Sequence, residues 1–237
     1  MFISARVHPG ETNSSWMAKG AIDFLLSQAP EAHLLREKMV FKVVPMLNPD
    51  GVINGNYRCS LSGADLNRRW KTSSKILFPE IFETKRLVKT FQKERQIVLY
   101  CDIHGHSRNK NVFIYGNNYP ENPESTRLFP FIMSKVCDSF SFESSRFVVH
   151  PSKDATARVT MWKELKIPAV YTMEASFCGP DIGAHAGLHY TAENLMDIGR
   201  RLCLSLLIFC DVDIPKGIRE LNAQAGKKRK PGATSSA

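Results

Sequence analysis

The chain has 237 residues, 43% apolar and 23% charged, ordinary for a soluble globular protein and enough for one large α/β domain with a full core. No apolar run approaches the ~20 residues of a membrane span, the best being Leu202 to Cys210, and the start Met1-Phe2-Ile3-Ser4-Ala5-Arg6 lacks a signal peptide's apolar stretch. A net charge of +9 favours acidic partners: nucleic acid, an anionic membrane or an acidic protein segment.

Strand and helix patterns alternate along the chain. A strand at 2–7 leads to a helix at about 14–28, with Trp16, Met17, Ala21 and Leu25 on one face and Asn13 or Ser14 as its cap. A strand at 39–47 precedes a loop rich in Asn, Gly and Ser that runs through residue 75. A helix at about 79–95, strands at 96–103 and 111–116, and a helix at 125–138 follow. Short strands at 146–150 and 168–174 and a last helix at about 191–210 complete the pattern. Such alternation predicts a three-layer α/β/α domain with a central, largely parallel sheet and helices on both faces.

The domain is expected to span 1–213, with a basic, disordered tail over 214–237. The cluster Lys227-Lys228-Arg229-Lys230 in that tail reads as a nuclear-localisation or anion-binding patch, or simply as solvated charge. Six cysteines, at 59, 101, 137, 178, 203 and 210, show no Cys-x-x-Cys spacing. They read as reduced, mostly buried thiols of an intracellular protein.

Candidate chemistry starts with His8-Pro9-Gly10-Glu11, where an apolar strand runs into a turn. Alone, His-x-x-Glu is a weak metal signal. His104, in His104-Gly105-His106 after the strand Ile97 to Ile103, adds a third candidate ligand, with His106 as a structural or substrate-contact alternative. Two histidines and a glutamate leave a zinc coordination position open for water. Asn48-Pro49-Asp50-Gly51 reads as a turn. Arg58, Asn67 and Arg68 offer donors for a carboxylate, since arginine presents a planar bidentate fork. Glu174 ends an apolar strand, where an acid is costly unless paired or used; it reads as a partnered structural acid or as a general base.

In this order, His8-x-x-Glu11, Asn48-Pro49-Asp50-Gly51, Arg58, Asp65-x-Asn67-Arg68, His104 and Glu174 resemble the zinc metallocarboxypeptidases of the carboxypeptidase A clan. Arg6 to Asn13, Met46 to Gly51, Gly55 to Leu61, His104-Gly105-His106-Ser107 and Tyr171-Thr172-Met173-Glu174 resemble the cytosolic carboxypeptidases in particular, over residues 2 to about 210.

The resemblance implies that His8, Glu11 and His104 bind one zinc ion, with Asp65 accepting a hydrogen bond from the other ring nitrogen of His8. It implies that Asn67 and Arg68 hold a peptide's C-terminal carboxylate, that Arg58 stabilises the oxyanion, and that Glu174 moves the proton between water and the leaving amine. The cytosolic branch removes acidic residues, so Arg158 is expected to bind the glutamate side chain. Acidic C-termini and polyglutamate side chains, including those of tubulin, are the implied partners, and the cytosol is the implied location.

Two departures accompany the resemblance. No tyrosine lies between Tyr119 and Tyr171, so no phenol role is assigned. The chain also begins one strand before His8, so an N-terminally incomplete domain with an open sheet edge is expected. Three other readings compete: an aspartoacylase-type zinc deacylase of the same clan, a non-catalytic module that binds acidic tails, and a nucleic-acid binder supported only by the basic tail.

Overall fold

In a computed structural model, residues 1–211 are described. The expected tail therefore lies outside the described residues. Strands β1 (Phe2–Ala5), β2 (Lys42–Val44), β3 (Leu99–His106), β4 (Val112–Tyr115) and β5 (Ala169–Ser176) form one sheet in the order β2-β1-β3-β5-β4. All pairings are parallel except β4 on β5, which is antiparallel. The sheet is thus mixed and largely parallel, and helices cover both faces.

Residue alternation along the strands sorts the two faces. Ile3, Ala5, Cys101, Ile103, Tyr171 and Met173 point to one core, which α1 (Thr12–Leu26), α2 (Pro30–Lys38), α5 (Ser125–Val136) and α7 (Ala192–Asp211) cover. Phe2, Tyr100 and Val170 point to the other, against α4 (Pro79–Glu94) and α6 (Ala157–Leu165). On this second face the rows change character from strand start to strand end. Phe2, Tyr100 and Val170 share a register row, Ser4, Asp102 and Thr172 the next, and His104 and Glu174 the last. The apolar base buries the sheet; the polar rows build a site at the C-terminal ends of parallel strands, where α/β sites form.

Helices α1 and α7 approach closely because each offers a glycine to the other's backbone. A Cβ on Gly20 would lie 2.0 Å from the Met196 carbonyl oxygen, and one on Gly199 would lie 1.9 Å from that of Met17. Backbone cannot yield as a side-chain tip can. Gly199→Ala is therefore expected to cost about 1–3 kcal/mol of stability, read as a lower urea midpoint with an unchanged slope. An unshifted midpoint would show that the helices can separate without penalty.

Several expectations need correction. The strand expected at 39–47 shrinks to Lys42–Val44, and residues 146–150 form no strand, only a single bridge between Arg146 and Tyr115. Helices α2, α6 and α3 (Pro49–Asn54) were not expected; each spans nine residues or fewer, too short to establish a 3.6-residue period. Trp16 is 42% exposed, because the buried stripe of α1 is centred on Met17, Ala18, Ala21, Phe24 and Leu25. Neither Asn13 nor Ser14 caps α1. Glu11 holds the cap position, the Asn13 amide donates to the carbonyls of Ala175 and Ser176, and the Ser14 hydroxyl donates to that of Ile103. Those bonds fasten α1 to β3 and β5 instead.

Candidate metal and active site

After β1 the chain bends sharply at Arg6, whose φ of 58° is left-handed. Such a backbone is strained for a residue with a Cβ, and it persists only where its surroundings hold it. Here the Arg6 amide donates to Ser14 Oγ, its Nε to the Pro9 carbonyl and its Nη1 to Ser15 Oγ, each at 2.7 Å. The turn that follows is closed by the Glu11 amide on the His8 carbonyl and the Gly10 amide on that of Tyr57. The Asn48 side chain caps α3 through the Gly51 amide and donates its own amide to the Val7 carbonyl at 3.2 Å. Asn48-Pro49-Asp50-Gly51 is therefore a short helix start that clamps the residue before His8.

His8 Nδ1 lies 2.7 Å from Glu11 Oε1, and His104 Nδ1 lies 2.9 Å from Glu11 Oε2. One ligand atom from each of these three residues falls within 4.8 Å of the others. Each ring's second nitrogen is taken by a different carboxylate: His8 Nε2 lies 3.1 Å from Asp65 Oδ1, and His104 Nε2 lies 2.8 Å from Asp102 Oδ2. A carboxylate only accepts, so without a cation each ring donates to acids from both nitrogens; with a cation at the shared centre each would keep its proton on Nε2, on Asp65 or Asp102, and turn the Nδ1 lone pair to the metal. Two imidazoles and one carboxylate arranged in this way fit a zinc ion with an open side.

The electrostatics follow from this crowding. Burial alone would raise the Glu11 carboxyl, but His104 and His8 together outweigh it and hold it well below the usual carboxylate range. Burial opposes the charged form of His104, yet Asp102 and Glu11 raise it well above the ordinary histidine value. Asp65 is likewise held low, because His8, Arg58 and Arg68 outweigh its burial.

The open side faces a cavity of about 500 Å³, lined in part by Arg58, Asn67, Arg68, Lys153, Arg158 and Glu174. Arg58 is held by Asp65, with Nε and Nη2 at 2.9 and 2.8 Å from Oδ2. Asp65 also caps the 3-10 turn Leu66–Arg68 by accepting the Asn67 amide, so one carboxylate fixes His8, Arg58 and the Asn67-Arg68 backbone together. Asn67 lines the cavity; its Oδ1 accepts the Ala157 amide at the start of α6, and its Nδ2 lies 3.5 Å from His104 Nε2. Glu174 stands in register with His104 across β3 and β5. Burial pushes its carboxyl up to about 8, with Glu11 and Asp102 adding to that effect and His104 and Lys153 opposing it.

Arg158 is a buried wall of the cavity, not a surface charge: it is 5% exposed, and its Nη1 donates to the Gly116 carbonyl and to Asn117 Oδ1. His106 lines the cavity but stands outside the three-residue metal group; its Nδ1 accepts the amides of Arg108 and Asn109. Sequence reasoning missed Asp102, Lys153 and Tyr115. Asp102 could have been found, since an acid two residues before His104 in an apolar strand must share its face. Lys153, in an irregular segment, and Tyr115, in an antiparallel strand, gave no such sign.

The description zinc carboxypeptidase belongs to a family model that matches residues 1–182. Cytosolic carboxypeptidase 2 of Xenopus tropicalis is 51% identical over 218 residues, covering 90% of this chain and 22% of that protein. Cytosolic carboxypeptidase 3 of Bos taurus is 47% identical over 221 residues, covering 91% of this chain and 22% of that protein. A solved metallo-carboxypeptidase from Pseudomonas aeruginosa, in complex with (2-guanidinoethylmercapto)succinic acid, matches with a TM-score of 0.76 at 25% identity. That match covers 89% of this chain and 57% of the other. The chain thus spans under a quarter of each of those two curated relatives.

Proposed function

Because the chain belongs to the zinc carboxypeptidase family, we propose that it removes C-terminal residues, chiefly glutamate, from acidic protein tails or polyglutamate side chains such as those of tubulin. The observation that carries this reading is the meeting of His8, Glu11 and His104 with Arg58, Asn67, Arg68 and Glu174 around one cavity.

His8, Glu11 and His104 would hold one zinc ion, which when bound supplies Lewis acidity to the scissile carbonyl and acidifies water. Arg68 and the Asn67 amide receive the terminal carboxylate, and because only a chain end offers that group, cleavage is confined to the last residue. Arg58, pinned through Nε and Nη2 on Asp65, turns Nη1 to the carbonyl oxygen as negative charge develops on it. Glu174 takes the proton of the attacking water and returns it to the leaving amine. The names of the relatives support a cytosolic place of action, with microtubule association and nuclear entry as parts of the same reading. No helix among the described residues is long and apolar enough to cross a membrane.

Mass spectrometry of a polyglutamate-tailed peptide incubated with zinc-loaded protein tests the reading. Stepwise loss of C-terminal glutamate supports it; no loss under any metal condition refutes it.

The glutamate preference rests on Arg158, a cation already desolvated in the cavity wall. A charge-assisted hydrogen bond contributes about 1.5–3 kcal/mol, so Arg158→Ala should lower kcat/KM for a C-terminal glutamate by roughly 10–100-fold. Lost contacts to Gly116 and Asn117 would affect every substrate, so the ratio of glutamate to a neutral C-terminal residue is the quantity to measure. A variant that keeps the wild-type ratio excludes this role for Arg158.

A further inference from the structure

We infer that Asp102 is a positioning residue for the metal centre, and that Tyr100, Ser4 and Asp102 form a hydrogen-bonded brace that fixes the His104 ring across two strands. This rests on His104 being a metal ligand, not on peptidase activity.

Asp102 is 0% exposed and lies on the same face of β3 as His104. Its Oδ2 is 2.8 Å from His104 Nε2, and its Oδ1 accepts the Ser4 hydroxyl at 2.6 Å. Ser4 Oγ is also 2.9 Å from the Tyr100 hydroxyl. The proton count gives the chain one direction. An ionised Asp102 only accepts, so the Ser4 proton points to it; Ser4 Oγ must then accept from Tyr100, and His104 must donate from Nε2. With Nε2 committed to Asp102, His104 Nδ1 is the nitrogen left facing Glu11, at 2.9 Å, and is the atom that would turn its lone pair to a cation held there with His8.

The brace also crosses the sheet. Ser4 sits on β1, four residues before His8, and it is the register partner of Asp102 on β3. The strand that leads to two ligands is thereby bonded, through side chains, to the strand that supplies the third. An acid used only for packing could be replaced here by an amide without consequence for a metal. An acid that orients and polarises a ligand ring could not, because partners of this kind typically change metal affinity by about 10–100-fold.

Zinc affinity of the whole chain, measured by competition with a chromogenic chelator, reads this without turnover, with His104→Ala as the control for ligation. Asp102→Asn is expected to bind zinc about 10–100-fold more weakly and to alter the visible spectrum of the cobalt-loaded protein. Ser4→Ala, which keeps the carboxylate, is expected to weaken zinc binding a few-fold. Combined with Asp102→Asn it should add less than its separate effect, because both act through one ring. Wild-type affinity in Asp102→Asn, or in Ser4→Ala where the first variant fails to fold, overturns the brace and leaves the metal centre standing. A wild-type protein without zinc affinity overturns both.

Discussion

Glu174→Gln should lower kcat for a glutamate-tailed peptide by roughly 10²–10⁴-fold while zinc content and KM stay near wild type, the usual scale of a lost general acid–base. The substitution isolates the proton step because glutamine keeps the shape of the side chain, but its amide can neither take up nor give back a proton. Glu174 is buried, and burial already pushes its carboxyl up to about 8, so a neutral amide fits the site without a desolvation penalty. Fold stability should therefore be unchanged or slightly raised, which separates lost chemistry from lost structure. The register makes the same point. Glu174 faces His104 across β3 and β5, next to the metal ligands but outside the group of ligand atoms that converge. A variant that kept more than a tenth of wild-type kcat would remove Glu174 from the proton path and leave it the partnered structural acid that an isolated reading of its strand allows.

The strand that leads to His8, the strand that carries His104 and the strand that ends at Glu174 were legible because each is an apolar run that stops at a polar residue. That signal survives without any knowledge of pairing. What it cannot report is which strands are neighbours, so β4 could not be read as antiparallel and Tyr115 could not be placed beside the cavity. Helix α6 begins at Ala157 with its N-terminal amide on Asn67, ninety residues away. Its start is a tertiary contact, not a local one, and its nine residues carry no clear stripe. Trp16 failed for a different reason: a one-residue error in the helical face moves a side chain by about 100°. Arg6 shows a third kind of limit. Its left-handed backbone is held by three hydrogen bonds to Ser14, Ser15 and Pro9, and nothing local to an arginine announces them. Asp102 was legible but unread; strand period alone puts it under His104, and the pairing only adds Ser4.

His104→Ala should abolish both zinc binding and turnover, and it should also destabilise the metal-free protein. The first effect follows from the donor set, since His8 and Glu11 alone leave zinc two ligands short of a closed site and without the third protein ligand a catalytic centre needs. The second follows from what lies behind the ring. Asp102 is fully buried, its Oδ2 faces only the His104 ring, and its Oδ1 keeps the Ser4 hydroxyl. Removing the ring strands a carboxylate, and breaking a buried pair in this way costs about 3–5 kcal/mol. Urea unfolding of metal-free wild type and variant measures that cost. Excess zinc separates the two effects. It stabilises the wild type by about 4 kcal/mol at a thousandfold excess over Kd and should stabilise His104→Ala not at all. The double variant Asp102→Asn/His104→Ala sharpens the test, because replacing the stranded charge should restore much of the metal-free stability while restoring neither zinc binding nor hydrolysis. Were the single variant as stable as wild type, Asp102 would have to take up a proton or water at little cost. The buried acid would then be no obligate partner of the ring, and His104 would matter to this fold only through the metal.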